Sequence, residues 1–215
     1  MLKNSVNSEP RQQQSPPSLV DETLEFTPPN YKRLGEDWFA IFNKHIPSSL
    51  DVNLLHTFEH DNIVTCLRFS PDGRYIATRC RRTAQNFDLG SGQKVATFNH
   101  APAEFEGESY MLAVCFYPDG RYLATGGEGN FIRIWNLAQM RIKTMFAGHK
   151  EDVYCLDFTR DGRRLASGSK DRTARVWDSQ TGQCLLTLWI SVSSVAFSSD
   201  SKFLAIGSLD CTVHI

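Results

Sequence analysis

No cysteine in this chain stands in a Cys-x-x-Cys pair and no histidine sits at ligand spacing from one, which removes the common zinc and dithiol chemistries. No apolar run approaches the length of a bilayer span. The start, Met1-Leu2-Lys3-Asn4-Ser5, has no apolar stretch behind it, so it does not read as a signal peptide. Charge of one sign is missing too. With 23 Lys and Arg against 24 Asp and Glu, the net charge of −1 offers no overall field to gather nucleic acid or an anionic membrane. There is no Ser-centred elbow, metal-binding helix or paired-carboxylate motif, so no catalytic residue is nominated and no cofactor or metal is expected. Gly126-Gly127-Glu128-Gly129-Asn130 resembles a phosphate cradle but joins two strand candidates and opens no helix. Gly90-Ser91-Gly92-Gln93-Lys94 lacks phosphate-loop spacing and is better explained as a hairpin turn. The enzyme class has nothing to stand on.

Residues 1–30 hold Gln12-Gln13-Gln14, Pro16-Pro17 and Pro28-Pro29 with almost no aromatic or β-branched content, so a disordered tail is expected there. From Tyr31 the character changes. Asp37-Trp38-Phe39-Ala40-Ile41-Phe42 is aromatic and strand-like, and Val52-Asn53-Leu54-Leu55-His56-Thr57-Phe58 is a second strand candidate, giving a lead-in over 31–58. A unit of about forty residues then recurs over 59–98, 99–146, 147–188 and, incompletely, 189–215. Its third copy is the cleanest: Gly148-His149, Val153–Phe158, Asp161-Gly162, Leu165–Ser169, Asp171 and Trp177-Asp178. Aligned on Asp72-Gly73, Asp119-Gly120, Asp161-Gly162 and Asp200-Ser201, the steps are 47, 42 and 39 residues. Each unit reads as four strands joined by short turns, the meander of one propeller blade. The fold class is therefore all-β, a partial WD40 β-propeller of about three complete blades plus an incomplete fourth. Cys66 and Cys155 share a repeat position three before a strand Phe and read as small apolar filler; unpaired thiols fit a reducing compartment.

A WD40 blade uses a His, a strand hydroxyl, a turn Asp and a Trp N–H as one buried hydrogen-bond chain that leaves no donor unpaired. Copy three supplies His149, Ser167, Asp171 and Trp177, which read as scaffold and not as catalysts. Copy one keeps His60 and Thr78 but puts Arg82 at the Asp position and Phe87 at the Trp position. Copy two keeps Thr125 and Trp135, has Gly129 for Asp and shows no matching His. Copy four keeps Asp210 alone, with Ile206 at the hydroxyl position. Arg79, Arg81 and Arg82 form a basic cluster around Cys80, either a solvated turn or a contact for phosphate or acidic peptide.

Asp37-Trp38-Phe39 through Asn43 and the run Leu50-Asp51-Val52-Asn53-Leu54-Leu55-His56-Thr57-Phe58-Glu59-His60 have a more specific look. With Ile132-Arg133-Ile134-Trp135, Arg175-Val176-Trp177-Asp178 and Gly207-Ser208-Leu209-Asp210 they resemble the C-terminal propeller of the fungal Tup-type, Groucho-like general transcriptional corepressors, over about residues 37–215. The resemblance implies a nuclear (or also cytoplasmic), non-enzymatic protein-interaction module. In the family, an N-terminal helical segment binds a partner corepressor subunit, and the wider propeller face takes peptides of DNA-bound repressors or chromatin proteins. Neither direct nucleic-acid nor membrane binding is implied. Carried over by repeat position, the partner-binding residues are Tyr110, Glu128, Asp152, Lys170, Arg81 and Leu209. The assembly helix and about half of a seven-bladed ring are absent, so an open arc with apolar blade faces is expected, prone to self-association. Two other readings stand beside this one: a WD40 adaptor of another complex, such as a ubiquitin-ligase substrate receptor, and a truncated product without stable activity.

Overall fold

The computed structural model describes residues 26–34, 39–43, 45, 52–99 and 111–215. Apart from 26–30, the expected tail lies outside the described residues, as do Asp37 and Trp38. The chain divides into two compact units, Met1–Thr57 and Phe58–Ile215. In the first, a 3-10 turn at Pro29–Tyr31 leads into β1 (Lys32–Leu34), which pairs antiparallel with β2 (Phe39–Ile41), Lys32 opposite Ile41. The apolar segment from Val52 to Phe58, expected as a strand, is not one. It joins no sheet among the described residues, and without a ladder partner an extended run gains no strand hydrogen bonds.

The second unit is built from repeated antiparallel meanders. Blade one is β3 (Val64–Phe69), β4 (Tyr75–Cys80), β5 (Thr83–Asp88) and β6 (Lys94–Asn99). Blade two is β7 (Met111–Phe116), β8 (Tyr122–Gly127), β9 (Ile132–Asn136) and β10 (Arg141–Phe146). Blade three is β11 (Val153–Phe158), β12 (Arg164–Ser169), β13 (Thr173–Asp178) and β14 (Cys184–Trp189). The fourth has three strands, β15 (Val192–Phe197), β16 (Leu204–Ser208) and β17 (Val213–His214).

The turns explain why the repeat folds locally. Asp72, Asp119, Asp161 and Asp200 each accept from the backbone N–H two residues on, at 2.8 to 3.2 Å. In three of the four a hydroxyl two residues upstream (Ser70, Thr159, Ser198) also donates to the carboxylate. These bonds hold the carboxyls of Asp72, Asp161 and Asp200 below the usual range, the hydroxyl donor contributing most. The next residue is left-handed: Gly73, Gly120, Gly162 and, in the fourth blade, Ser201 at φ 60°. Every inner strand also carries a bulge at its start, after Val64, Met111, Val153 and Val192.

Neighbouring blades pack through their inner strands, β3 on β7, β7 on β11 and β11 on β15. One core joins blades two and three around Phe146, Leu156, Phe158 and Trp177, and another joins blades one and two around Phe98, Met111, Phe116 and Trp135. Met111, Val114 and Phe116 on β7 are 0%, 1% and 6% exposed. Their counterparts on β3, Val64, Leu67 and Phe69, are 38%, 49% and 60% exposed, so this face of blade one is uncovered. Among the described residues no helix is long and apolar enough to cross a membrane.

Candidate functional site

Blade three completes its polar circuit. Trp177 Nε1–H donates to Ser167 Oγ at 2.8 Å, and Ser167 Oγ meets His149 Nε2 at 2.7 Å. His149 Nδ1 lies 2.9 Å from Asp171 Oδ2, which also accepts from the Lys150 amide at 2.9 Å. The consistent proton order is Trp to Ser, Ser to His Nε2, and His Nδ1–H to Asp. Burial pushes the His149 pKa down even though Asp171 pulls it up, so the imidazole is neutral. Burial would raise the Asp171 carboxyl, but Thr173, the Lys150 amide and His149 outweigh it and hold it at about 2. Thr173 was missed from sequence: its hydroxyl donates to Asp171 Oδ1 at 2.6 Å, and the signal was Thr two residues after Asp, repeated at Asp210 and Thr212.

The other blades depart from this. In blade one His60 Nε2 bonds Thr78 Oγ1 at 2.7 Å, while Nδ1 turns to the Phe58 carbonyl at 3.0 Å. The β4–β5 turn pairs Cys80 with Thr83, whereas β12–β13 pairs Ser169 with Thr173, so the blade-one turn is one residue shorter. Counted forward from Thr78, Arg82 falls where Asp171 does, and counted back from Thr83, Arg81 does; neither supplies a carboxylate. Phe87 stacks on Phe58 at 4.3 Å in place of an indole. In blade two Trp135 Nε1–H donates to Thr125 at 2.9 Å, and Phe98 packs on Trp135 at 5.3 Å as Phe58 packs on Phe87. His100 follows Phe98 by two residues as His60 follows Phe58, and lies outside the described residues.

The Gly126 region is explained by packing, not by phosphate. A Cβ on Gly126 would come within 2.8 Å of Val153 Cγ1, and one on Gly168 within 2.4 Å of Val192 Cγ1. Arg79 holds the same register position in blade one, buried, and its Nε–H donates to the Met111 carbonyl. Burial lowers its pKa. The cysteines are free thiols, and burial pushes Cys115 up to about 12 and Cys155 up to about 11, which makes them poor nucleophiles.

Inner strands start, and second strands end, at one end of each sheet, and this end carries those nominated partner-binding residues that are described. Lys170 N–H donates to the Asp152 carbonyl at 2.9 Å, and its ammonium lies 3.9 Å from the Asp152 carboxylate and 4.0 Å from Glu151. Leu209 N–H repeats the backbone bond to Ser191 at 2.8 Å, and its side chain is exposed. The Arg81 carbonyl accepts from Met111 N–H at 2.9 Å, tying blade one to blade two at this same end. Glu128, half-buried, follows β8 in the equivalent turn. Asp152 and Lys170 are in contact; Arg81, Glu128 and Leu209 each sit in the turn of their own blade. Tyr110 lies outside the described residues. Glu151 was not nominated from sequence, nor was Asp157, whose carboxylate accepts from Phe197 N–H at 2.6 Å and ties blade three to the fourth.

The family of the WD domain, G-beta repeat, matches residues 52–84, 92–136, 140–178 and 182–215. The chain belongs to the WD40 family. This WD40 chain is similar to the transcriptional repressor rco-1 of Neurospora crassa, 46% identical over 173 residues that cover 80% of the chain. It is 38% identical over 130 residues, 60% of the chain, to the general transcriptional corepressor tupA of Dictyostelium discoideum. It is 33% identical, across 66% of its length, to the general transcriptional corepressor TUP1 of Saccharomyces cerevisiae. The chain spans 29%, 22% and 27% of these three relatives.

Proposed function

We propose that this WD40 chain is a non-enzymatic protein-interaction module of a nuclear transcriptional corepressor. Its blade-turn end, through Arg81, Tyr110, Glu128, Asp152, Lys170 and Leu209, takes peptides of DNA-bound repressors or chromatin proteins. The observation that carries this is the 46% identity, across 80% of the chain, to a protein named a transcriptional repressor. The geometry supports it: charges of both signs and an exposed leucine stand on short turns between paired strands, so little ordering entropy is lost on binding. A partner corepressor subunit belongs to the same proposal, as does self-association through the uncovered face of β3. So do the assignments of 1–30 as tail, 31–58 as lead-in and 59–215 as repeats.

The test is capture of repressor peptides by the purified full chain and by Lys170→Glu, Asp152→Lys and Tyr110→Ala. Capture should drop at least about fivefold with the urea midpoint unchanged, because the Lys170 pair is exposed and contributes under about 1 kcal/mol to folding. Equal capture by all three variants would sink the proposal. Recovery of ubiquitin-ligase subunits in place of repressors would turn the reading to an adaptor of another complex.

A further inference from the structure

Between blades one and two a cleft of about 470 Å³ opens on the flank of the propeller, away from the residues nominated above. At its inner end lies Asn86, 4% exposed, whose side-chain carbonyl oxygen finds no hydrogen-bond partner among the described residues. The fold does not require a polar group there. Asn86 sits between Ala77 and Ala96 in the register, immediately before Phe87. The same position is Ile134 in blade two, beside Ala124, and Val176 in blade three, beside Ala166. A buried acceptor at a site where the repeat elsewhere carries an aliphatic residue is costly unless something donates to it.

The walls specify the donor. Val95, Leu137 and Met140 are apolar, Tyr75 and Tyr122 contribute rings, and Arg121 is the one charged residue on the lining. No carboxylate among the described residues pairs with Arg121. Beyond it, Arg74 lies over the Tyr75 ring at 5.0 Å and is paired with Asp88 at 3.2 Å, so the unpaired charge at this cleft is that of Arg121. A lysine tip would be repelled. An indole N–H is donor only, on an apolar body.

We propose that this cleft binds an acidic peptide segment bearing a tryptophan, with the indole N–H on Asn86 Oδ1 and the flanking carboxylates facing Arg121. The volume is that of a small-ligand pocket. The site is independent of the blade-turn end.

The test titrates the full chain, labelled with ¹³C at its methionine methyls, with acetyl-Glu-Glu-Trp-Glu-amide, with the same peptide carrying 1-methyltryptophan, and with its Lys-for-Glu counterpart. The Met140 methyl signal should move with the first peptide, and the other two should bind roughly five- to tenfold more weakly. Asn86→Val, which copies Val176 and should fold, should erase the difference between indole and N-methylindole. Arg121→Glu should erase the preference for glutamates. Lys170→Glu should leave the Met140 shift intact, which separates this site from the blade-turn end. An unmoved Met140 would mean that only water reaches Asn86 and would overturn the proposal. Discrimination retained in Asn86→Val, or a shift lost in Lys170→Glu, would overturn it as well.

Discussion

Blades one and three hold a histidine against a strand hydroxyl in the same way, at 2.7 Å in both, and then part company. In blade three the other ring nitrogen meets a carboxylate and the hydroxyl meets an indole, so four side chains close a circuit. In blade one the shorter turn brings no carboxylate, a backbone carbonyl takes the ring nitrogen, and a phenyl ring stacked on Phe58 replaces the indole. The polar circuit is thus one of two ways to fix the blade edge, and aromatic stacking with a backbone acceptor is the other. The interblade seam differs as well. Blade three admits Val192 against Gly168, while blade one has Arg79 donating to the Met111 carbonyl.

The largest effect should come from Trp177→Ala, which removes a side chain 1% exposed and leaves the Ser167 hydroxyl and the His149 and Phe146 rings without their neighbour. A loss of about 3–5 kcal/mol is expected in urea unfolding, against the lower end of that range for Phe87→Ala, which donates no hydrogen bond. Equal losses would mean that the indole bond contributes nothing. Gly168→Arg copies blade one into blade three and should cost at least ~2 kcal/mol, because its Cβ would sit 2.4 Å from Val192 Cγ1. A neutral result would show that the blade three seam opens as freely as the one beside Arg79.

The third comparison is with pH. Asp171 is held at about 2 against 3.8 for the free group, so its contribution is complete above pH 3.8 and is lost as the pH falls towards 2. After solvent screening this should amount to roughly 1–2 kcal/mol. His149 is shifted down from 6.5, so the unfolded chain takes up its proton first and stability begins to fall below pH 6.5. Asp171→Asn should flatten the acid limb between pH 3.8 and 2 in urea midpoints measured across that range, and a limb identical to the unmodified chain would remove Asp171 from the account. The smallest effect is Lys170→Ala, an exposed pair partner, with under about 0.5 kcal/mol expected in the same assay. A larger loss would make the blade-turn end part of the scaffold.

The blade strands and their Asp-Gly turns were legible because their causes lie within a few residues: alternating side chains, a carboxylate two residues before the amide it accepts from, a residue free to be left-handed. The quartet of blade three was legible from its spacing. Its blade-one counterpart has a turn one residue shorter, which shows in the sequence as nine residues from Thr78 to Phe87 against ten from Ser167 to Trp177, and the pairing of Cys80 with Thr83 places the loss between those two strands. The run from Val52 to Phe58 has strand composition and no strand, since propensity without a neighbouring ladder gains little. Of the partner-binding nominations, Asp152 and Lys170 fall in contact, a pairing that the repeat positions did not specify, and Glu151 beside them had no repeat signal.

The sequence by itself determined the repeat, its period, the all-β class and the identity of the turn residues, because these follow from short-range hydrogen bonding and the two-residue alternation of a strand. Tertiary structure alone decided what happens between blades: the Arg79 bond to the Met111 carbonyl, Asn86 with an unmatched oxygen, and Asp157 reaching Phe197. Those depend on side chains some forty residues apart meeting across a packed seam, and no local pattern encodes which neighbour each will find.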